Sequence, residues 1–141
     1  MQQKTALQRF EEKYIIDPLT GCWLWIGAIN ENGYGLFWHE GKWGKAHRAS
    51  YELYVGPIPQ GRELDHLCRI RRCVNWVHVE PVTRRVNLLR GDTIVAENAR
   101  KTTCPRGHEY DSVWGSDKYR GCRTCRNIHK RASYHAKGRA A

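Results

Sequence analysis

The chain has 141 residues, which bounds it to one domain or to one domain with a small appendage. Lys and Arg number 24 against 14 Asp and Glu, and the excess is concentrated: residues 100–141 carry eleven basic against three acidic side chains, whereas residues 1–99 are nearly balanced. A basic C-terminal third points to a polyanionic partner, usually nucleic acid, or else to a solubilising tail. No apolar run approaches the ~20 residues of a membrane span, and the N-terminus (MQQKTALQRFEEKY) lacks the apolar stretch of a signal peptide. The expectation is an intracellular protein with no membrane partner, whose six cysteines stay reduced and bind metal rather than each other.

In chain order, residues 3–14 read as a short amphipathic helix with Leu7, Phe10 and Tyr14 on one side, broken by Asp17-Pro18 and Thr20-Gly21. Two aromatic, β-prone runs follow, residues 22–26 (CWLWI) and 34–38 (YGLFW), separated by the turn-forming residues 30–33. They read as an N-terminal hairpin or small sheet, with Trp23, Trp25, Tyr34, Phe37, Trp38 and Trp43 either forming a core or presenting a β-ribbon to DNA. Residues 40–42 form another tight turn. Residues 46–55 read as a helix ended by Gly56-Pro57, and 62–66 as a strand. A loop rich in Arg and Cys occupies 67–77, and 79–82 are extended. Thr83 is an N-cap for a helix that Gly91 stops. Residues 92–102 read as a linker, and 103–141 as a basic extension with a helical tail at 126–139.

Metal-ligand spacing is the strongest local signal. Cys104 and His108, then Cys122 and Cys125, form two close pairs separated by a loop, the plan of a closed structural zinc site. Cys22, Cys68 and Cys73 remain, and His78 completes a second set of four; Cys22 is either that fourth ligand or a residue buried beside Trp23. Eight ligands suffice for two zinc ions per chain, staples that a small, aromatic-rich and aliphatic-poor core would need.

The stretch at 64–91, LDHLCRIRRCVNWVHVEPVTRRVNLLRG, resembles the HNH endonucleases of the ββα-metal fold, and within them the His-Cys box homing endonucleases. It is also similar to free-standing phage HNH nucleases, whose preceding segment looks like CWLWIGA, GYGLF and AHRASYELYVGPIP here; the resemblance covers about residues 20–91. It implies an α+β fold: a zinc-stapled ββα core over 1–91, joined by the linker to a zinc-binding, DNA-binding C-terminal region. It further implies that His66 is the general base, that Asn87 binds a catalytic divalent ion, and that Cys68, Cys73 and His78 ligate zinc. Asp65 is the expected second ligand of that ion. The chain departs from ordinary HNH enzymes in carrying His78 at the middle position, where Asn is usual; as a zinc ligand His78 is structural.

The chemistry fits on independent grounds. Cleaving an anionic phosphodiester needs an activated water, charge neutralisation and a stabilised leaving oxygen. Asp65 and Asn87 offer hard oxygens to Mg2+ or Mn2+, whereas thiolates suit zinc. Arg48 is expected either at the scissile phosphate or in a surface ion pair. Arg69, Arg71 and Arg72 are expected to clamp phosphates or simply to line a solvated loop. Lys42, Lys45 and the tail (Arg123, Arg126, Lys130, Arg131, Lys137, Arg139) are expected to track the DNA backbone. The expected function is a metal-dependent endonuclease on double-stranded DNA, acting as a homodimer or as a monomeric nickase, in the cytoplasm of a bacterial host if phage-encoded, or in a nucleus. The alternative is a zinc-stapled DNA-binding module without chemistry. RNA as substrate is not separable by charge or motif.

Overall fold

A computed structural model describes residues 3–116 and 118–138, with side chains at 137 and 138 left aside. The chain divides after Gly91 into two compact units, 1–91 and 92–141, each described by itself. The fold is α+β, and among the described residues the strands pair as four two-stranded antiparallel sheets.

The first unit begins with helix α1 (Ala6–Glu11). It is shorter than the expected 3–14, because Thr5 and Gln8 close a reciprocal capping box at its start and Tyr14 already belongs to a strand. Phe10 is its buried residue, while Leu7 stays 37% exposed. The two aromatic runs do not pair with each other as expected. Strand β1 (Tyr14–Ile16) pairs with β2 (Trp23–Trp25), and β3 (Leu36–His39) pairs with β4 (Lys42–Lys45). The second hairpin has a two-residue turn, Glu40-Gly41, with φ of 51° and 74°; positive φ at both positions matches the twist of the flanking strands. Helix α2 (Ala46–Tyr54) follows directly.

Phe10, Trp25, Phe37, Ala46, Ala49 and Val74 form the core, with Tyr14, Trp23, Leu53 and Tyr54 packed around it. Aromatic edges supply much of it: Phe10 meets Phe37 at 5.2 Å and 87°, and Tyr14 stacks on Trp23 at 4.6 Å and 3°. Trp23, Trp25 and Phe37 are therefore core residues, whereas Trp38 and Trp43 are exposed.

Strands β5 (Arg62–His66) and β6 (Val79–Thr83) form the third hairpin, and helix α3 (Arg84–Arg90) follows without a break. Thr83 caps α3, its hydroxyl accepting from the Val86 N–H at 3.3 Å. The long β5–β6 connection is tied to β2 by the Trp25 N–H donating to the Arg72 carbonyl and the Val74 N–H donating to the Trp23 carbonyl. It closes with a 3-10 turn at Trp76–His78.

In the second unit, residues 92–102, expected as a linker, are largely helical. They hold helix α4 (Ile94–Arg100), whose Thr93 hydroxyl accepts from the Ala96 N–H and whose Ala96 is buried. Strands β7 (Ser112–Trp114) and β8 (Tyr119–Gly121) form a hairpin that sequence reading missed, its strands being three residues each. The tail helix α5 spans Arg123–Gly138, starting earlier than expected; Arg139 lies outside the described residues.

Candidate active site and metal centres

Cys22, Cys68, Cys73 and His78 each present one ligand atom, all within 4.8 Å of one another. The Cys22 and Cys73 sulfurs lie 3.4 and 3.7 Å from His78 Nδ1. A tetrahedral zinc with Zn–S near 2.3 Å and Zn–N near 2.0 Å holds its ligand atoms about 3.5–3.8 Å apart, so the donor set fits that ion. Burial pushes the Cys73 thiol up to about 12, a setting in which a thiolate needs an adjacent cation. Asn75 closes the frame: its side-chain N–H donates to the Gly21 carbonyl at 2.8 Å and its oxygen accepts from the Val77 N–H at 3.0 Å. Sequence reading passed over Asn75, although Asn two residues before a backbone donor is a recognisable turn signal.

In the second unit, Cys104, His108, Cys122 and Cys125 form the other group of four. Cys104 Sγ lies 3.6 Å from His108 Nδ1 and 3.7 Å from Cys125 Sγ, and His108 Nδ1 lies 3.3 Å from Cys125 Sγ. Gly107, at φ 83°, turns the chain so that Cys104 and His108 face one point. Both clusters can hold zinc.

His66 sits at the end of β5, 8% exposed. Its Nε2 is 2.9 Å from the Cys73 carbonyl. A carbonyl only accepts, so Nε2 carries the hydrogen and the neutral ring keeps its lone pair on Nδ1. Burial lowers the His66 pKa, against the opposing pull of the Cys73 carbonyl and the Asp65 carboxylate. His47, on the first turn of α2, meets His66 edge to face with ring centroids 4.5 Å apart. Burial, followed by the nearby charges of His66, Lys45 and Arg48, drives His47 down to about 2, so it is neutral at working pH. Its buried Nδ1 has no hydrogen-bond partner among the described residues. Sequence reading left His47 unassigned, since nothing local distinguishes it from a structural histidine.

Asp65 is 3% exposed. Its Oδ1 accepts from Arg69 at 2.5 Å; Oδ2 lies 3.6 Å from Arg90 Nη1 and makes no hydrogen bond among the described residues. A buried carboxylate oxygen without a donor suits a further cation. Arg90 also pairs with Glu80, the residue opposite Asp65 on β6. Asn87, one turn before Arg90 on α3, donates from Nδ2 to Glu63 Oε2 at 2.7 Å. Glu63 and Asp65 share a face of β5, so α3 returns Asn87 and Arg90 onto the same strand face. Glu63 and Arg90 were absent from the sequence reading, although the alternation of β5 and the spacing along α3 bear on both.

The basic residues fall into several settings. Lys45 Nζ lies 4.4 Å from the centre of the Tyr34 ring, itself 6.0 Å from His66. Arg71 donates to the Asn32 carbonyl at 3.2 Å, and Arg48, Arg72 and Lys42 are exposed. Arg69 is committed to Asp65, at φ 59°. In the second unit Arg123, Arg126, Lys130 and Arg131 are exposed on α5, Arg126 lying over Trp114 at 4.7 Å. The Lys137 side chain falls outside the described ones.

Residues 44–89 match the HNH endonuclease family, a span that runs from the end of β4 through most of α3 and leaves out Cys22. Protein 7.7 of Escherichia phage T7 is 39% identical over 66 residues, covering 47% of this chain and 51% of that protein. Protein 2.8 of the same phage is 34% identical over 70 residues, covering 48% and 47%. The uncharacterized gene 5.3 protein of Enterobacteria phage T3 is 39% identical over 44 residues, covering 31% and 44%. The chain thus spans about half the length of these curated relatives. No solved structure matches it.

Proposed function

From the premise that residues 44–89 are an HNH endonuclease segment, we propose that the chain is a metal-dependent endonuclease that hydrolyses phosphodiester bonds of double-stranded DNA in the cytoplasm of a phage-infected bacterium. The observation that carries this reading is the hydrogen bond between His66 Nε2 and the Cys73 carbonyl. It fixes the ring and its tautomer, leaving Nδ1 to take a proton from water as the oxygen attacks phosphorus. Burial lowers the His66 pKa, so the ring stays unprotonated and ready to act as a base.

Asp65 Oδ2 and the Asn87 side-chain carbonyl are the residues we assign to a Mg2+ or Mn2+ ion, which when bound neutralises charge developing on the phosphoryl oxygens and the departing 3′ oxygen. Arg69 and Arg90 both face the buried Asp65 carboxylate. Arg48 contacts the scissile phosphate. Arg71, Arg72, Lys42 and Lys45 hold the backbone on either side, and Arg123, Arg126, Lys130 and Arg131 extend the contact from the second unit. Two zinc ions, one per Cys/His cluster, hold the scaffold.

Supercoiled plasmid incubated with Mg2+ is the test. The wild type converts it to nicked circles, or to linear product if two copies act on opposite strands, and His66→Ala abolishes conversion while keeping its zinc. Undiminished cutting by His66→Ala would refute the assignment.

A further inference from the structure

The indole-bearing part of the β3–β4 hairpin face away from Phe37 has no role in the chemistry above. Leu36 pairs with Lys45 and Trp38 with Trp43, so these four side chains share one face. The two indoles meet at 5.7 Å and 69°, yet remain 42% and 62% exposed. Beside them is a cavity of about 200 Å³, lined by Arg9 and Lys13 together with Leu36, Phe37, Trp38 and Trp43. Arg9 is anchored over the Phe37 ring at 5.5 Å and donates to the Trp38 carbonyl at 3.5 Å. The cavity is smaller than the roughly 300 Å³ of a drug-sized pocket and suits one flat ring.

Two features select the occupant. The cations at the rim call for an anion close to the aromatic surface, which a nucleotide combines in one unit. The face also continues toward the proposed base: Lys45, at its end, lies over Tyr34, and Tyr34 neighbours His66. A buried interface with another protein offers the indoles apolar area but gives Arg9 and Lys13 no phosphate to neutralise.

We propose that Trp38 and Trp43 form a stacking platform for an unpaired base of a single DNA strand, with Arg9 and Lys13 on its phosphates, so that the hairpin holds a strand displaced or frayed beside the cut. This rests on the endonuclease reading for its substrate class, but its test is binding rather than cleavage.

The experiment uses the full chain carrying His66→Ala and a fluorescently labelled oligo(dT), followed by anisotropy. Trp43→Leu keeps an apolar side chain without a π face, and Trp43→Phe keeps the π face. The Leu variant is expected to bind oligo(dT) about tenfold more weakly, with Phe close to the parent. Arg9→Gln is expected to flatten the salt dependence of binding by roughly one counterion. Equal affinity of the Leu and Phe variants, or a parent that does not bind oligo(dT), overturns the proposal. So does a dimer by sedimentation that Trp43→Leu breaks with no change in oligo(dT) affinity. Plasmid nicking by a Trp43→Leu chain with His66 intact separates the two readings: nicking retained with oligo(dT) affinity unchanged rejects the platform alone.

Discussion

Cys73 serves two neighbours at once. Its thiol belongs to a cluster that can hold zinc, and its carbonyl receives the His66 ring hydrogen. A metal on the thiol therefore restrains the atom that orients the proposed base, which couples zinc occupancy to the position of His66. Asn87 shows the same logic on oxygen chemistry. Its amide N–H₂ is engaged by Glu63, which turns the carbonyl oxygen away from that carboxylate. Close packing at single residues is equally exacting. A Cβ on Gly35 would lie 2.5 Å from Trp25 Cδ1, and Trp25 is fully buried with its Nε1 donating to the Ala28 carbonyl. Gly35→Ala is expected to destabilise the chain by about 1–3 kcal/mol, read as a lower urea midpoint at an unchanged slope. His66 stands out as a candidate from its neighbours in sequence. His47, Glu63 and Arg90 do not, because each acquires its meaning from a residue on another element.

Among the elements, β5, β6 and α3 were legible nearly to the residue. An extended run approaching Asp65-His66, a second one ending at Pro81-Val82, and Thr83 before a helix stopped by Gly91 are all short-range signals. Helix α3 is only seven residues long, so its cap matters: Thr83→Ala is expected to cost about 1 kcal/mol, measured by denaturant unfolding, and to loosen Asn87 and Arg90 with it. The aromatic segment was legible as strand but not as pairing. Its two runs are separated by turn residues and look like partners, yet β2 pairs backward with β1 and β3 forward with β4. The tighter turn at Glu40-Gly41 closes a two-residue hairpin, whereas the longer 30–33 turn yields only the isolated Ile29–Gly35 bridge. Helix α4 is not legible in the sequence, because its seven residues carry too little periodicity to announce a buried face.

At the scale of the whole molecule, two small units each gather one Cys/His group, and neither has a large aliphatic core to fall back on. Stability should therefore track metal. Wild type is expected to hold two zinc ions per chain by elemental analysis. Cys104→Ser should lose one ion and the order of the second unit while plasmid nicking persists at reduced affinity. Cys73→Ser should lose the other ion and nicking together, since the carbonyl that orients His66 moves with that loop. If Cys73→Ser cuts as fast as wild type, zinc has no part in placing the base. Among the described residues no helix is long and apolar enough to cross a membrane.

The sequence alone determined the candidate ligand types, their spacings, the β-β-α order around Asp65-His66 and the charge asymmetry between residues 1–99 and 100–141. These are local quantities: turn preference, capping and ligand spacing are set within a few residues of chain. The tertiary structure decided which distant groups meet. It brings Cys22, just before β2, to the loop cysteines, His47 against His66, Glu63 to Asn87 and Arg90 to Asp65, and it leaves Trp38 and Trp43 exposed while burying Trp25. Such contacts depend on which strands pair and on which face of a hairpin closes over the core. That choice is made by the competition of all aromatic side chains for one small interior, which no short window of sequence contains.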